Sequence, residues 1–353
     1  MDLITPLLPG PAKESSANQI NFILVKVLNP EPLNPGNIRM YTYITRRLIL
    51  TVFILLCLSI IVFLSMHAIP GNIVEVMLGV EATPENVAAL KKAMGLDKPI
   101  YVQYLKWLMN VLHADLGSSL RTGRPVLGEI INRLPVTLQL TLYSMIISLF
   151  IAIPVGIASA VKQNSWFDHI LRPLSIVGLS VPTFWWGILF IILISYYIPS
   201  FYSGGYVSIF KDFGGNFKAI FPPALALGIA MAAVVARFTR SSLIEVLQED
   251  YITTARSKGL TERLVVGKHG LRNSLINVLT IVGLQTASLL GGAVLIETVF
   301  SLPGVGRLAL DAVLQRDYPM VQGAILTISF LFVLVNLVVD LLYGLLDPRI
   351  RIS

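Results

Sequence analysis

Residues 241–273 read SSLIEVLQEDYITTARSKGLTERLVVGKHGLRN, a charged interval between the uncharged runs Ala219–Ala236 and Asn273–Ile296. Ile244, Leu247, Tyr251 and Ala255 recur at helical spacing, which predicts an amphipathic helix over Ser242–Lys258. Ser242 and Glu245 stand three apart, as a capping box requires to satisfy the free amides of a first turn. Gly259 supplies a left-handed stop, with Leu260 placed for the apolar contact that goes with it. Thr261 then caps a second short helix, with Glu262 in its first turn. The expectation is helix, glycine turn, helix between two apolar runs. It leaves two readings open, a plain amphipathic loop or a docking element.

The rest of the chain says what kind of molecule carries this loop. Its 353 residues are 55% hydrophobic and only 13% charged, which excludes a soluble domain of this length and indicates a polytopic membrane protein. Six uncharged intervals occur: Leu48–Met66, Leu134–Val161, Pro173–Ile198, Ala219–Ala236, Asn273–Ile296 and Tyr318–Val339. Each is near or above the ~20 residues a helix needs to cross the hydrocarbon. The expected fold is therefore all-α with six transmembrane helices, and residues 241–273 fall between spans four and five. No small-residue cleavage pattern follows Met66, so the first span is read as retained.

Lys and Arg orient the bundle. Arg39, Arg46 and Arg47 precede the first span, and most other basic residues of the short loops fall on that same side. This places both termini in the cytoplasm and 70–133 outside, long translocated segments being largely exempt from the rule. The net charge of +7 is ascribed to loops facing anionic lipid rather than to nucleic-acid binding. Residues 1–39, with six prolines, form an irregular tail or upstream extension, and 40–69 hold the first span. Residues 134–346 form a five-span core, and 347–353 a cytoplasmic tail. In 70–133, Thr83, Pro84, Glu85 and Gly95 delimit one helix. Tyr101, Tyr104, Leu105, Leu108 and Leu112 share a face of a second, with Trp107 beside it for the membrane interface. The segment is either a platform for an extracytoplasmic partner or a collar over the bundle.

Enzyme chemistry finds little support. There is no GxxxxGK[ST] phosphate loop, no GxSxG and no HExxH, and the four histidines are scattered. The lone Cys57 lies in an apolar run and is read as a space-filling side chain. Two acids border spans. Asp340 is read as an interfacial residue. Glu297 is either a capped residue or part of an external gate with SLPGVG. Pro182 is expected to kink the third span, with Ser180 and Thr183 beside it as pathway candidates. Gly283, Gly291 and Gly292 are read as close-packing positions.

DYITTARSKGL at 250–260 and HGLRNSLINV at 269–278 resemble the cytoplasmic loop of binding-protein-dependent ABC importer permeases. The general loop runs Glu-Ala-Ala, three residues, Gly, nine residues, Ile-x-Leu-Pro; only Ala255, Gly259 and Leu271 match it here. The departures, with Thr254 and Arg256 around Ala255 and with His269 and Arg272, resemble the dipeptide/oligopeptide/nickel branch. From Met40, MYTYITRRLIL, PGNIVEVMLG, DLGSSLRTGRPV, RLPVTLQL, SVPTFWWGILF, ETVFSLPGVGRL and DPRIR follow in the order of the B-type permease of such importers. The resemblance implies the type I importer permease fold in the cell membrane, with a coupling helix docked on an ATPase. Glu245, Asp250, Thr254, Ala255, Arg256, Gly259, His269 and Leu271 are the coupling candidates it implies. It further implies a second permease subunit, two ATPase subunits holding ATP and Mg2+, and an extracytoplasmic solute-binding protein. This chain itself is expected to bind no cofactor. Peptides are the expected substrate, with nickel or oligosaccharides as alternatives. A self-contained secondary transporter is the competing class, which the absence of charged residues from the span centres disfavours.

Overall fold

The computed structural model describes residues 40–68, 73–78, 82–199 and 205–346; the tail at 1–39 and the ending at 347–353 lie outside the described residues. Among the described residues all the regular structure is helical, joined by turns, apart from one isolated bridge between Ser118 and Pro125. Five helices among the described residues are long and apolar enough to cross a membrane. They are α1 (Met40–Ala68), α5 (Val126–Val161), α8 (Phe213–Leu247), α10 (Glu262–Val299) and α12 (Tyr318–Leu346). The sixth expected span is a pair, α6 (Trp166–Ser180) and α7 (Thr183–Tyr197), bent by 102° between them. Pro182 does more than kink this span. Having no amide hydrogen, it ends the ladder outright and begins α7 from an extended conformation.

Helices overrun the uncharged intervals at both ends. α5 begins at Val126 rather than Leu134, and α8 continues to Leu247 rather than stopping near Ala236. Charge marks where lipid ends, while backbone hydrogen bonding continues wherever protein packs beside it. The packing is nested. α5 and α8 form the central pair, α10 lies on α8, α12 on α10, and α1 on α12 as the outermost helix. Two glycines bring the central pair together. A Cβ on Gly156 would stand 2.7 Å from Thr239 Cβ, and one on Gly228 2.8 Å from the Ser144 carbonyl oxygen. Gly283 and Gly292 meet Val339 and Leu227 in the same way. Gly291 differs from expectation, because nothing approaches it within 4 Å.

Between α1 and α5 lie α2 (Ile73–Leu78), α3 (Pro84–Met94) and α4 (Ile100–Leu112). Thr83 accepts from the Asn86 amide, Pro84 opens α3 and Gly95 closes it at φ 72°, as the sequence pattern requires. α4 sits on α1 through Tyr104, whose hydroxyl lies 2.9 Å from Ser59 Oγ, and through Trp107 against Phe63. Its other face leaves Tyr101 65% and Leu112 72% exposed, an apolar stripe suited to an interfacial helix. Asp340, near the far end of α12, pairs with Arg47 of α1 at 3.0 Å.

Candidate functional site

The stretch 241–273 forms a turn-back between α8 and α10, and its first half departs from expectation. Ser242 caps nothing. It is buried inside α8, where its hydroxyl donates to the Ser274 carbonyl and accepts from Asn277 Nδ2. With its amides already bonded within α8 and Leu243 fully buried, the helix has no reason to start there. The chain instead breaks at Gln248–Glu249, and a separate helix, α9 (Asp250–Ser257), comes next. Glu249 takes the extended cap conformation at φ −68°, ψ 148°.

That break rotates the apolar face. Ile252 and Ala255 are the buried residues of α9, packed with Val265 and Leu247. Tyr251, expected inside, is exposed, and its hydroxyl accepts from Asn273 Nδ2 at 2.8 Å. The end of α9 is as expected. Gly259 adopts φ 80°, its amide donates to the Arg256 carbonyl at 2.9 Å, and the Leu260 amide donates to the Ala255 carbonyl at 3.4 Å. These are the two bonds of a Schellman motif. Thr261 stands at the next cap position but makes no side-chain cap bond. The second short helix is not separate either. Glu262–Leu264 is the first turn of α10, which passes through a π-helical stretch, Val265–Leu271, before resuming α-helix.

Of the eight coupling candidates, Glu245 lies exposed in the last turn of α8. Asp250 and Thr254 share the exposed side of α9, with Thr254 Oγ1 bonded back to the Asp250 carbonyl. Ala255 faces inward. Arg256 reaches across the Gly259 turn to Glu262, with Nη2 at 2.7 Å and Nε at 3.2 Å from the two carboxylate oxygens. His269 and Leu271 lie in the π-helical stretch, both half-buried. A carbon on Gly270 between them would meet Leu243 and Leu247 at 3.2 and 3.1 Å, so this stretch rests directly on the end of α8. The outcome is a short helix with a polar outer face, seated on the ends of two long helices and tied to both.

The pathway candidates separate. Pro182 and Thr183 line a cleft of about 270 Å³ between α6, α8 and α10, into which Gln285 and Ser288 of α10 add polar groups. Ser180 does not line it. Its hydroxyl bonds back to the Ile176 carbonyl within α6. Glu297 lies far along α10 in a buried staple.

The family model for binding-protein-dependent transport system inner membrane components matches residues 152–352, and the model of its N-terminal region matches 40–141. The chain belongs to this permease family. It is 43% identical over 336 residues to the dipeptide transport system permease protein DppB of Escherichia coli, covering 88% of this chain and 99% of that one. Against the protein of the same name from Alkalihalophilus pseudofirmus it is 42% identical, covering 88% and 100%. It is 41% identical to a putative peptide transport system permease protein of Brucella abortus, covering 88% and 99%.

Three acids in this permease take partners that lie mostly far away in its sequence. Glu297 is fully buried, and its carboxylate accepts from Thr137 Oγ1 of α5 at 2.6 Å and from the Arg307 amide at 2.9 Å. Arg307 is in the first turn of α11 (Val305–Leu314), so the acid sits at that helix's electropositive end. Glu297 is thus a cap joining α5, α10 and α11. Asp317 plays a like part, accepting from Ser119 Oγ and from the Leu120 amide at 3.1 Å to hold the 115–125 turn against α12. The third acid is Asp168 of α6, which no solvent reaches. It receives Arg240 of α8 through Nε at 2.7 Å and Nη2 at 2.9 Å, Arg172 at 2.6 Å, Ser159 of α5, and the Asn164 amide. Asp168 and Arg172 are four apart, a pair visible in sequence; Arg240, 72 residues on, is not.

Proposed function

We propose that this permease is one of the two transmembrane subunits of an ATP-driven importer of peptides, and that an ATPase subunit docks on α9. The peptide assignment rests on relatives named for dipeptide and peptide transport. The docking assignment rests on one observation. α9 presents a polar outer face while its inner face and its C-terminal clamp are shared between α8 and α10. A displacement of α9 therefore reaches two spans at once, through Leu247 to α8 and through Val265 and Glu262 to α10. Those two spans also line the cleft at Pro182, so closure of the ATPases would reshape the polar wall formed by Thr183, Gln285 and Ser288. In this reading an extracytoplasmic binding protein delivers the peptide on the side of α3 and α4. The ATPases hold ATP and Mg2+, a second permease completes the pathway, and both termini are cytoplasmic. The residues of this chain transmit force and make no covalent chemistry.

Gly259 tests the docking assignment. Nothing lies within 4 Å of a Cβ built there, so a substitution meets no neighbour and its cost is the left-handed backbone alone. That cost is roughly 1 kcal/mol for Ala and more for a β-branched residue. ATP hydrolysis by the reconstituted importer, with and without loaded binding protein, is the measurement. Gly259→Ala should blunt the stimulation and Gly259→Val abolish it, while both variants still assemble with the partner permease. Full stimulation in both variants would remove α9 from the coupling path.

A further inference from the structure

A cavity of about 440 Å³ opens between α5, α6 and α8 at the end of the bundle that carries α9. Its walls are unlike those of the Pro182 cleft. Three guanidinium groups, Arg172, Arg237 and Arg240, line it together with Gln163, and Leu171 and Ile176 supply apolar surface. One carboxylate, Asp168, lies beneath and takes Arg172 and Arg240. Two guanidiniums against one carboxylate leave one positive charge, and Arg237 adds a second. Arg240 spends Nε and Nη2 on Asp168, and Arg172 spends Nη2, so each keeps its Nη1 donors for another acceptor. Arg237 meets only the ring of its neighbour Phe238 among the contacts of the described residues, at 5.7 Å.

A net positive cavity on helices that cross a membrane needs an anion, and its place narrows which one. α6 exposes Ile170, Leu174, Ile176 and Val177 along its length, so the surface leading out of the cavity is apolar. An anion that also carries chains to lie on that surface satisfies both halves of the site. Basic pockets between transmembrane helices hold phospholipid headgroups for this reason, and arginine grips phosphate oxygens in a forked geometry that lysine lacks. We propose that this cavity binds the phosphate headgroup of an anionic phospholipid, with Arg237 as its principal ligand and the Asp168 network holding Arg172 and Arg240 in position beneath it. The proposal concerns lipid alone and stands whether or not α9 couples to an ATPase.

The test is native mass spectrometry of the full chain, with the subunits that co-purify, after exchange into mixed phosphatidylglycerol and phosphatidylcholine. Arg237→Ala is the informative variant, because Arg237 is exposed and outside the Asp168 network, so folding is not at stake. An arginine that grips the lipid phosphate contributes about 1 kcal/mol toward anionic lipid, so phosphatidylglycerol retained in the cavity should fall about fivefold in Arg237→Ala. Arg263→Ala removes the same charge from exposed surface at the same end and should leave retention unchanged. Excess inorganic phosphate should not displace the lipid. Three results would each overturn the proposal: unchanged retention in Arg237→Ala, equal loss in both variants, or displacement by free phosphate, which would assign the cavity to a soluble anion.

Discussion

At Glu297 one carboxylate holds three helices, and two glycines make room for it. A Cβ on Gly304 would stand 2.1 Å from the Glu297 carboxyl carbon, and one on Gly306 2.9 Å from its Oε2. Neither glycine is there for a turn with positive φ; at Gly304 the carboxylate occupies the space a side chain would need, and at Gly306 the backbone and side chain of Val294 crowd it first, with the carboxylate beside them. Removing the acid strands the Thr137 hydroxyl and the Arg307 amide in a buried site, and each stranded group costs about 1–3 kcal/mol. Glu297→Leu should therefore lower the unfolding temperature in detergent clearly, and Glu297→Gln, which keeps an acceptor and the shape, should lower it less. Gly304→Ala should be as damaging as Glu297→Leu, because the carboxylate has nowhere to retreat. A leucine variant as stable as the parent would mean the carboxylate is not the fastener.

Between α8 and α10, stability and the proposed transmission rest on different contacts. Ile252, Ala255, Leu247 and Val265 seat α9, while Arg256 and Glu262 lock the direction in which it leaves. That ion pair is exposed, with side chains 42% and 56% accessible, so it contributes at most ~1 kcal/mol to global stability. Its effect is geometric, because it ties together two residues six apart on either side of Gly259. Arg256→Glu should therefore leave the unfolding temperature nearly unchanged while reducing binding-protein-stimulated ATP hydrolysis. The exchanged pair Arg256→Glu with Glu262→Arg should recover most of that loss. Failure of the exchange to recover any stimulation would show that Arg256 acts on a partner rather than on Glu262.

Over the whole bundle, burial rises inward from α1 to α8. The outermost helix has large apolar residues exposed along its length, such as Ile49, Phe53 and Ile61, which in a bilayer is contact with lipid rather than with water. The segment from α3 to α4 lies at the end opposite α9, over α1 and α12, and the proposed orientation puts it outside the cell. Lys92 is exposed on α3 and suits a single-cysteine probe in a background lacking Cys57. A cysteine there should react with an impermeant thiol reagent in intact cells. Reaction only after permeabilisation would invert the bundle and place α9 on the wrong side for an ATPase.

Much of this architecture is written locally. Span number follows from uncharged runs of sufficient length, because a membrane helix satisfies its backbone within itself and needs no distant partner. The left-handed stop at Gly259 and the α3 caps at Thr83 and Gly95 are equally local, each set by a few residues and legible from them. What the chain could not announce depended on residues far apart in sequence. Ser242 looks like a helix cap until Ser274 and Asn277 arrive to bury it, and only then is it clear that α8 runs on and that α9 starts eight residues later. That displaced start turned Tyr251 outward and Ile252 inward. Pro182 announces a disturbance, but whether it bends or breaks the span depends on α8 packing against both pieces and α10 against the second. Asp168 with Arg240, and Glu297 with Thr137, are pairings across 72 and 160 residues. A buried charge is tolerated only where its partners converge, and convergence is a property of the packed helices.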